Sequence, residues 1–185
     1  MLDNSQLVYR AHIMELLRQL DEIKLKLHIV SGGISDLIYS SLISVAGKEL
    51  VDRVISIHSN AWEVYNQDHQ DQYLRFKPKI VHSYNKHLIM REYPNKRKNC
   101  ILMGDLKSDI YMAYGAGYNQ IISVFYGKQG EFDQRALAES KFDVIIEGDG
   151  SHKIVIELLK IISNNKNVDW SYLYRIEPIL TTLIL

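Results

Sequence analysis

A chain of 185 residues is long enough to bury one core, and Lys plus Arg balances Asp plus Glu at 22 each, leaving no net charge. That balance removes the electrostatic case for nucleic acid as a main partner. The lone Cys100 excludes an internal disulfide and points to a reducing, cytoplasmic setting, while no apolar run nears the roughly 20 residues of a membrane span.

The start, Met1-Leu-Asp-Asn, has no basic region and no apolar stretch behind it, so it does not read as a secretory signal. Asn4 or Ser5 is placed to cap a first helix, with Leu7, Ile13, Leu16, Leu17 and Leu20 as its apolar stripe. A strand, Leu27 to Val30, stops at Ser31-Gly32-Gly33. Gly33 to Ala46 reads as a helix with Leu37, Ile38, Leu42 and Val45 facing inward, and Gly47 ends it. The β-branched stretch from Val51 to Ile57 predicts a strand. From Ser59 to Lys79 the periodicity fails, which predicts a ribbon or a long loop.

A helix around Asn85 to Tyr93 is expected to stop at Pro94. Strand Cys100 to Met103 then leads to a helix from Ser108 towards Gly115. Ile121 to Phe125 reads as a strand, Asp133 to Ser140 as a helix, Phe142 to Ile146 as a strand, and Ser151 to Ile162 as a last helix. Strands alternating with helices imply an α/β fold with a mostly parallel sheet covered on both faces.

In such sheets ligands gather at the carboxyl ends of the strands. Ser31-Gly32-Gly33 lies at such an end. The Ser31 hydroxyl can donate to a phosphate oxygen, and the glycines let backbone N–H groups approach an anion before a helix N-terminus. The plainer reading is a tight turn with Ser31 as cap. Asp105 ends a buried strand and Asp109 follows one helical turn later, so both carboxylates can face one point and hold a hard cation such as Mg²⁺. The plainer reading makes Asp105 or Ser108 a helix cap. Lys86 gains meaning only from its place between these motifs, where its ammonium could neutralise phosphate. His87 beside it reads as a satisfied or exposed histidine. Glu147-Gly-Asp149-Gly-Ser151 imitates an Asp-x-Asp nucleophile loop, but the longer Glu side chain would misplace the attacking oxygen. That segment reads as a strand end, with Asp149 or Ser151 capping the last helix.

Ser31-Gly-Gly-Ile-Ser-Asp36, Asn85-Lys-His87 and Ile101-Leu-Met-Gly-Asp-Leu-Lys-Ser-Asp109, followed by Met112-Ala113, resemble the cytosolic 5′-nucleotidase III family. This is the pyrimidine 5′-nucleotidase branch of the haloacid dehalogenase-like phosphatases. The resemblance runs from about Asp3 to Ile162 and includes Ser59-Asn60. It implies a Rossmann-like three-layer α/β/α core and Mg²⁺-dependent hydrolysis of nucleoside 5′-monophosphates. It also implies that Ser31, Gly32 and Lys86 bind phosphate, that Asp105 is a Mg²⁺ ligand, and that Asp109 supports it at the metal site. Leu106 and Leu88 depart from the family, which has Ser and commonly an acidic residue at those places.

A larger departure concerns the nucleophile. The family attacks phosphorus with the first Asp of an Asp-x-Asp pair and uses the second as acid and base. No such pair occurs among the 185 residues, so neither catalytic group is present. The expectation is a partial core over residues 1–163, with 1–24 the end of a cap or linker helix and 164–185 an apolar tail. Such a core is incomplete at its N-terminal strand. Its bare strand edges and apolar tail point to self-association. The alternative to a truncated enzyme is a non-catalytic remnant that binds phosphate or nucleotide.

Overall fold

The computed structural model describes residues 8–67, 71–93, 97–128, 141–148 and 150–164. They fall into two compact units. One is formed by Met14–Lys86 with the residues up to Tyr9, the other by Arg10–Ile13 with the residues from His87 onward.

Helix α1 (Ile13–Glu22) starts later than its apolar stripe suggests. Residues 8–12 are not helical, and His12 takes a φ of 66°, which interrupts any helix running through it. Asn4 and Ser5, the expected caps, lie outside the described residues. Leu16, Leu17 and Leu20 are buried, as the spacing predicts. The helix ends by donating the Leu25 N–H to the Leu20 carbonyl (2.9 Å) and the Lys24 N–H to the Asp21 carbonyl (3.1 Å), with Lys24 left-handed at φ 54°.

Strand β1 (Leu27–Ile34) runs through Ser31-Gly32-Gly33 instead of stopping there, and pairs in parallel with β2 (Ile55–Asn60). Ser31 faces Ser59 and Ile34 faces Asn60, so Gly32 and Gly33 bulge out of the ladder. Helix α2 (Ser35–Ala46) accordingly begins two residues after the predicted Gly33. Gly47 ends it with a φ of 76°, donating its N–H to the Ile43 carbonyl. Leu42 is buried, but Leu37 is 65% and Val45 40% exposed, against the expected inward face. Leu37 stands about 140° round the helix from Leu42, too far to share its stripe.

The stretch predicted as a strand from Val51 to Ile57 is divided. Helix α3 (Lys48–Val54) restarts on the Gly47 carbonyl, which accepts the Val51 N–H at 3.2 Å, and only Ile55 begins β2. Val51 and Val54 are both buried at helical spacing, and Lys48 pairs with Asp52 one turn on. Helical burial there outweighs β-branching. Strands β3 (Trp62–Gln67) and β4 (Asp71–Phe76) form the antiparallel ribbon that was one of the two expectations. Trp62 stacks on Phe76 with ring centroids 4.0 Å apart, and Glu63 pairs with Arg75 at 2.7 Å.

Helix α4 (Lys86–Glu92) leads into the second unit. Strand β5 (Asn99–Gly104), a short 3₁₀ turn (Lys107–Asp109), helix α5 (Ile110–Tyr114), strands β6 (Gln120–Gly127) and β7 (Val144–Glu147), and helix α6 (Lys153–Asn164) follow. The three strands are parallel in the order β5-β6-β7. Five successive residues of β6, Ser123 to Gly127, are buried, as in a sheet covered on both faces. Leu102, Ile110, Ala113, Phe125, Phe142 and Ile145 form the core here, with Phe125 and Phe142 rings 4.9 Å apart. Phe142 precedes the strand it was expected to start, yet is buried. Asp143 beside it accepts the N–H and hydroxyl of buried Ser123 at 2.7 and 2.6 Å, fastening β7 to β6. The expected helix from Asp133 to Ser140 lies outside the described residues; of the expected tail 164–185, Asn164 ends α6 and the rest lies outside them too. An α/β fold with mostly parallel strands is what the alternating pattern predicts.

Candidate functional site

In the first unit the Ser31-Gly32-Gly33 bulge hangs from the carboxyl end of β1. The Ser31 hydroxyl accepts the Gly33 N–H at 3.0 Å, so its own proton is left to donate elsewhere. Gly32 and Gly33 are exposed. Ser35, first residue of α2, is tied to the end of β2 through the Ser59 hydroxyl (2.8 Å) and the Asn60 carbonyl (3.0 Å). The plainer reading of Ser31 as a helix cap does not hold, because α2 has Ile34 at its N-cap and no side-chain cap.

Lys86 begins α4. The approach to it is a turn closed by Asn85, which donates from Nδ2 to the Ile80 carbonyl (2.7 Å) and accepts the His82 N–H at Oδ1 (2.8 Å). Asn85 is therefore the residue that aims the first turn of α4. Buried Asn60 bonds both to Gly32 and to Val81, five residues before Lys86. The first unit thus joins the Ser31–Gly32 bulge to the segment that ends at Lys86. Sequence reasoning noted Asn60 only as part of the resemblance and missed this function. Because β2 reads Ile-Ser-Ile-His-Ser-Asn, its last residue is one polar residue among several and carried no distinct signal.

In the second unit Asp105 and Asp109 come together at the carboxyl end of β5. Asp109 is only 3% exposed, and its Oδ2 accepts the N–H groups of Asp105 (3.3 Å) and Leu106 (3.2 Å). Asp105 itself is exposed. The loop is too tight for a side chain at Gly104: a Cβ there would stand 2.6 Å from the Asp109 Cβ and 2.9 Å from its Oδ2. Glycine before the acidic pair is thus a packing requirement, and the reason Gly-Asp-x-x-x-Asp reads as a unit. Neither Asp105 nor Ser108 is an N-cap: Leu106 holds that place for the 3₁₀ turn and Asp109 for α5, and the Asp109 carboxylate accepts the Leu106 N–H. His87, half-buried, packs its Cβ where a Gly115 Cβ would be, 2.8 Å away.

The chemistry of Asp105 and Asp109 suits a hard divalent cation, which commonly takes one or two carboxylates, with water and phosphate completing its shell. Among the described residues no three His, Cys, Asp or Glu side chains gather as a metal cage. With Asp109 Oδ2 engaged by the backbone, the exposed Asp105 carboxylate is the natural direct donor, and Asp109 shapes the loop that presents it.

Two other polar clusters were not read from the sequence. On β1 and β2, His28 Nδ1 lies 3.1 Å from His58 Nε2, which is 3.2 Å from the Ser56 hydroxyl. Burial, above all, holds both imidazoles below their ordinary range. In the second unit His152 bonds the Tyr126 hydroxyl through Nδ1 at 2.8 Å, and burial, helped by Arg10 and His12, pushes it down to about 4. Glu147 ends β7, while Asp149 lies outside the described residues. Ser151 accepts the Lys153 N–H at 2.9 Å, the capping contact expected of it. Among the described residues, no helix is long and apolar enough to cross a membrane.

Residues 1–163 match the family model of pyrimidine 5′-nucleotidase (UMPH-1). Among solved structures, the chain is similar to cytosolic 5′-nucleotidase IIIB bound to cytidine, with 18% identity and a TM-score of 0.64. That match covers 84% of this chain and 52% of the other, so the chain spans about half the length of that protein. At this identity the likeness is one of fold. No curated protein sequence matches the chain.

Proposed function

The chain belongs to the pyrimidine 5′-nucleotidase (UMPH-1) family, and on that premise we propose that it serves a cytoplasmic, Mg²⁺-dependent 5′-nucleotidase acting on pyrimidine nucleoside 5′-monophosphates. One observation carries the reading: the family match over residues 1–163 contains Ser31, Gly32, Lys86, Asp105 and Asp109 in order.

The Ser31 hydroxyl and the Gly32 N–H donate to phosphate oxygens, and the Lys86 ammonium neutralises their charge. Asp105 holds Mg²⁺, with Asp109 ordering the loop beneath it. When bound, the ion supplies Lewis-acid polarisation of a phosphate oxygen. These residues position phosphate but cannot form a bond to it. The phospho-aspartyl step needs an Asp-x-Asp pair, and none occurs in the sequence.

The test is phosphate release from UMP and CMP with Mg²⁺. The 185-residue chain should bind UMP yet show no turnover above background, and fusing an Asp-x-Asp strand segment before it should produce turnover. In that active form Asp105→Asn should abolish the Mg²⁺-dependent rate and leave the circular dichroism unchanged. Turnover by the chain alone, lost on Glu147→Gln, would move the nucleophile to the end of β7 and overturn the reading.

The missing Asp-x-Asp pair also favours a second reading, a family member that binds nucleotide without hydrolysing it. Binding of UMP that never becomes turnover in the fused form selects that alternative. Sedimentation of the same preparation reports the self-association expected from bare strand edges.

A further inference from the structure

We propose that Asn60 is the positioning residue of the phosphate cradle, its amide locking the Ser31–Gly32 bulge to the segment that delivers Lys86. The inference rests on the functional reading above and assigns a role to a residue outside its five.

Asn60 is the last residue of β2 and is 8% exposed. Its Nδ2 donates to the Gly32 carbonyl at 2.7 Å and to the Val81 carbonyl at 3.0 Å. Its Oδ1 accepts the Val81 N–H at 2.7 Å. Both donors and the acceptor of one planar amide are used, and each goes to backbone. Gly32 has left the β1–β2 ladder, so this side chain supplies what strand pairing no longer does. The two carbonyls take both amide hydrogens, which fixes the distance between the bulge and Val81. From Val81 the constraint continues through the Asn85 turn to Lys86. A hydroxyl at position 60 could not repeat this, having one proton to give, and a carboxylate would set charge against two carbonyl oxygens.

A buried amide of this kind could simply be satisfied core polarity, needed for folding and nothing more. The two roles differ in coupling. A positioning residue acts on phosphate through Ser31 and Gly32, so its loss and the loss of Ser31 overlap. A general weakening of the fold would make the two losses multiply.

The experiment titrates UMP, with inorganic phosphate as second probe, into the full chain by calorimetry. Asn60→Ala is the obvious variant, and Asn60→Ser, which keeps a small polar group, is the milder one should alanine fail to fold. We expect UMP affinity to fall by about tenfold in Asn60→Ser, the loss of a buried hydrogen-bonded amide. We expect the double variant with Ser31→Ala to bind about as weakly as the weaker single variant. Wild-type affinity in Asn60→Ser, or losses that multiply, overturns the proposal.

Amide spectra give a readout that needs no ligand. Asn60→Ser should shift the Gly32 and Val81 to Lys86 signals together while Gly104 and Ser123 stay in place. Unmoved Val81 to Lys86 signals overturn the clamp. If the unaltered chain binds neither UMP nor phosphate, the functional reading fails, and these spectra alone decide whether Asn60 couples the two segments.

Discussion

The Ser31 loop and the Asp105 loop solve the same problem by different means. One lies within the carboxyl-terminal part of a parallel strand and the other follows such a strand, and each has exposed backbone held in place by a side chain. At Ser31 the fixing group is a neutral amide from Asn60, 28 positions away and on another strand. At Asp105 it is a carboxylate only four positions on, which gathers two N–H groups of its own loop. A local device survives as a sequence pattern, and a remote one does not. The neutral device also adds no charge to its loop, whereas the acidic one adds negative charge to its own.

The comparison breaks most sharply at Asp109. Asp109→Ala removes the acceptor of the part-buried Asp105 and Leu106 N–H groups and should cost about 2 kcal/mol or slightly more, read from urea unfolding. A loss below about 1 kcal/mol would mean that water replaces the carboxylate. Gly104→Ala tests the same loop from its other side. The added methyl must displace Asp109, at a cost of about 2 kcal/mol, and should weaken Mg²⁺ binding with it. A variant as stable as the parent would show that β5 gives way without strain.

The smaller effect is one of pH, and it separates the units. His28 and His58 in the first unit and His152 in the second all have folded values below the ordinary 6.5. A depressed histidine stabilises the fold while neutral, so its contribution is complete above 6.5 and is lost as pH falls through the folded value. For His152 that loss runs down to about 4. Melting temperature should therefore decline with acid below pH 6.5, and His152→Gln should flatten the lower part of that decline. An unchanged profile in this variant would locate the acid sensitivity in the His28–His58 pair or elsewhere.

The chain announced its parallel strands more readily than its joints. Cys100 to Met103 are apolar on consecutive positions, and Ile121 to Phe125 are so apart from Ser123; in β6 the residues from Ser123 onward are buried in succession, as in a strand packed on both faces. The acidic loop was legible for the reason already given: Gly104, Asp105 and Asp109 are all within one turn. At Val51 the reading failed because β-branched residues three apart suit a buried helix face as well as a strand, and Gly47 restarts the chain just before them. Ser31 misled in another way. Two glycines look like an ending, yet here they form a bulge inside a strand that resumes at Ile34. Leu37 was misplaced because it is apolar without belonging to the buried stripe of α2. Asn60 and the His28–His58 pair depend on registers between strands, which spacing along one strand does not reveal.

The end of α1 leaves room for improvement by design. Its closing turn has the two crossed backbone bonds of a helix stop that usually recruits glycine, yet the left-handed position belongs to Lys24. A side chain there carries a steric penalty of about 1 kcal/mol, while glycine meets none and returns part of the gain as extra freedom in the unfolded chain. Lys24→Gly should therefore raise the melting temperature slightly and leave UMP binding as it was. It would give a sturdier parent in which costly substitutions at Asn60, Gly104 and Asp109 can be measured without losing the fold.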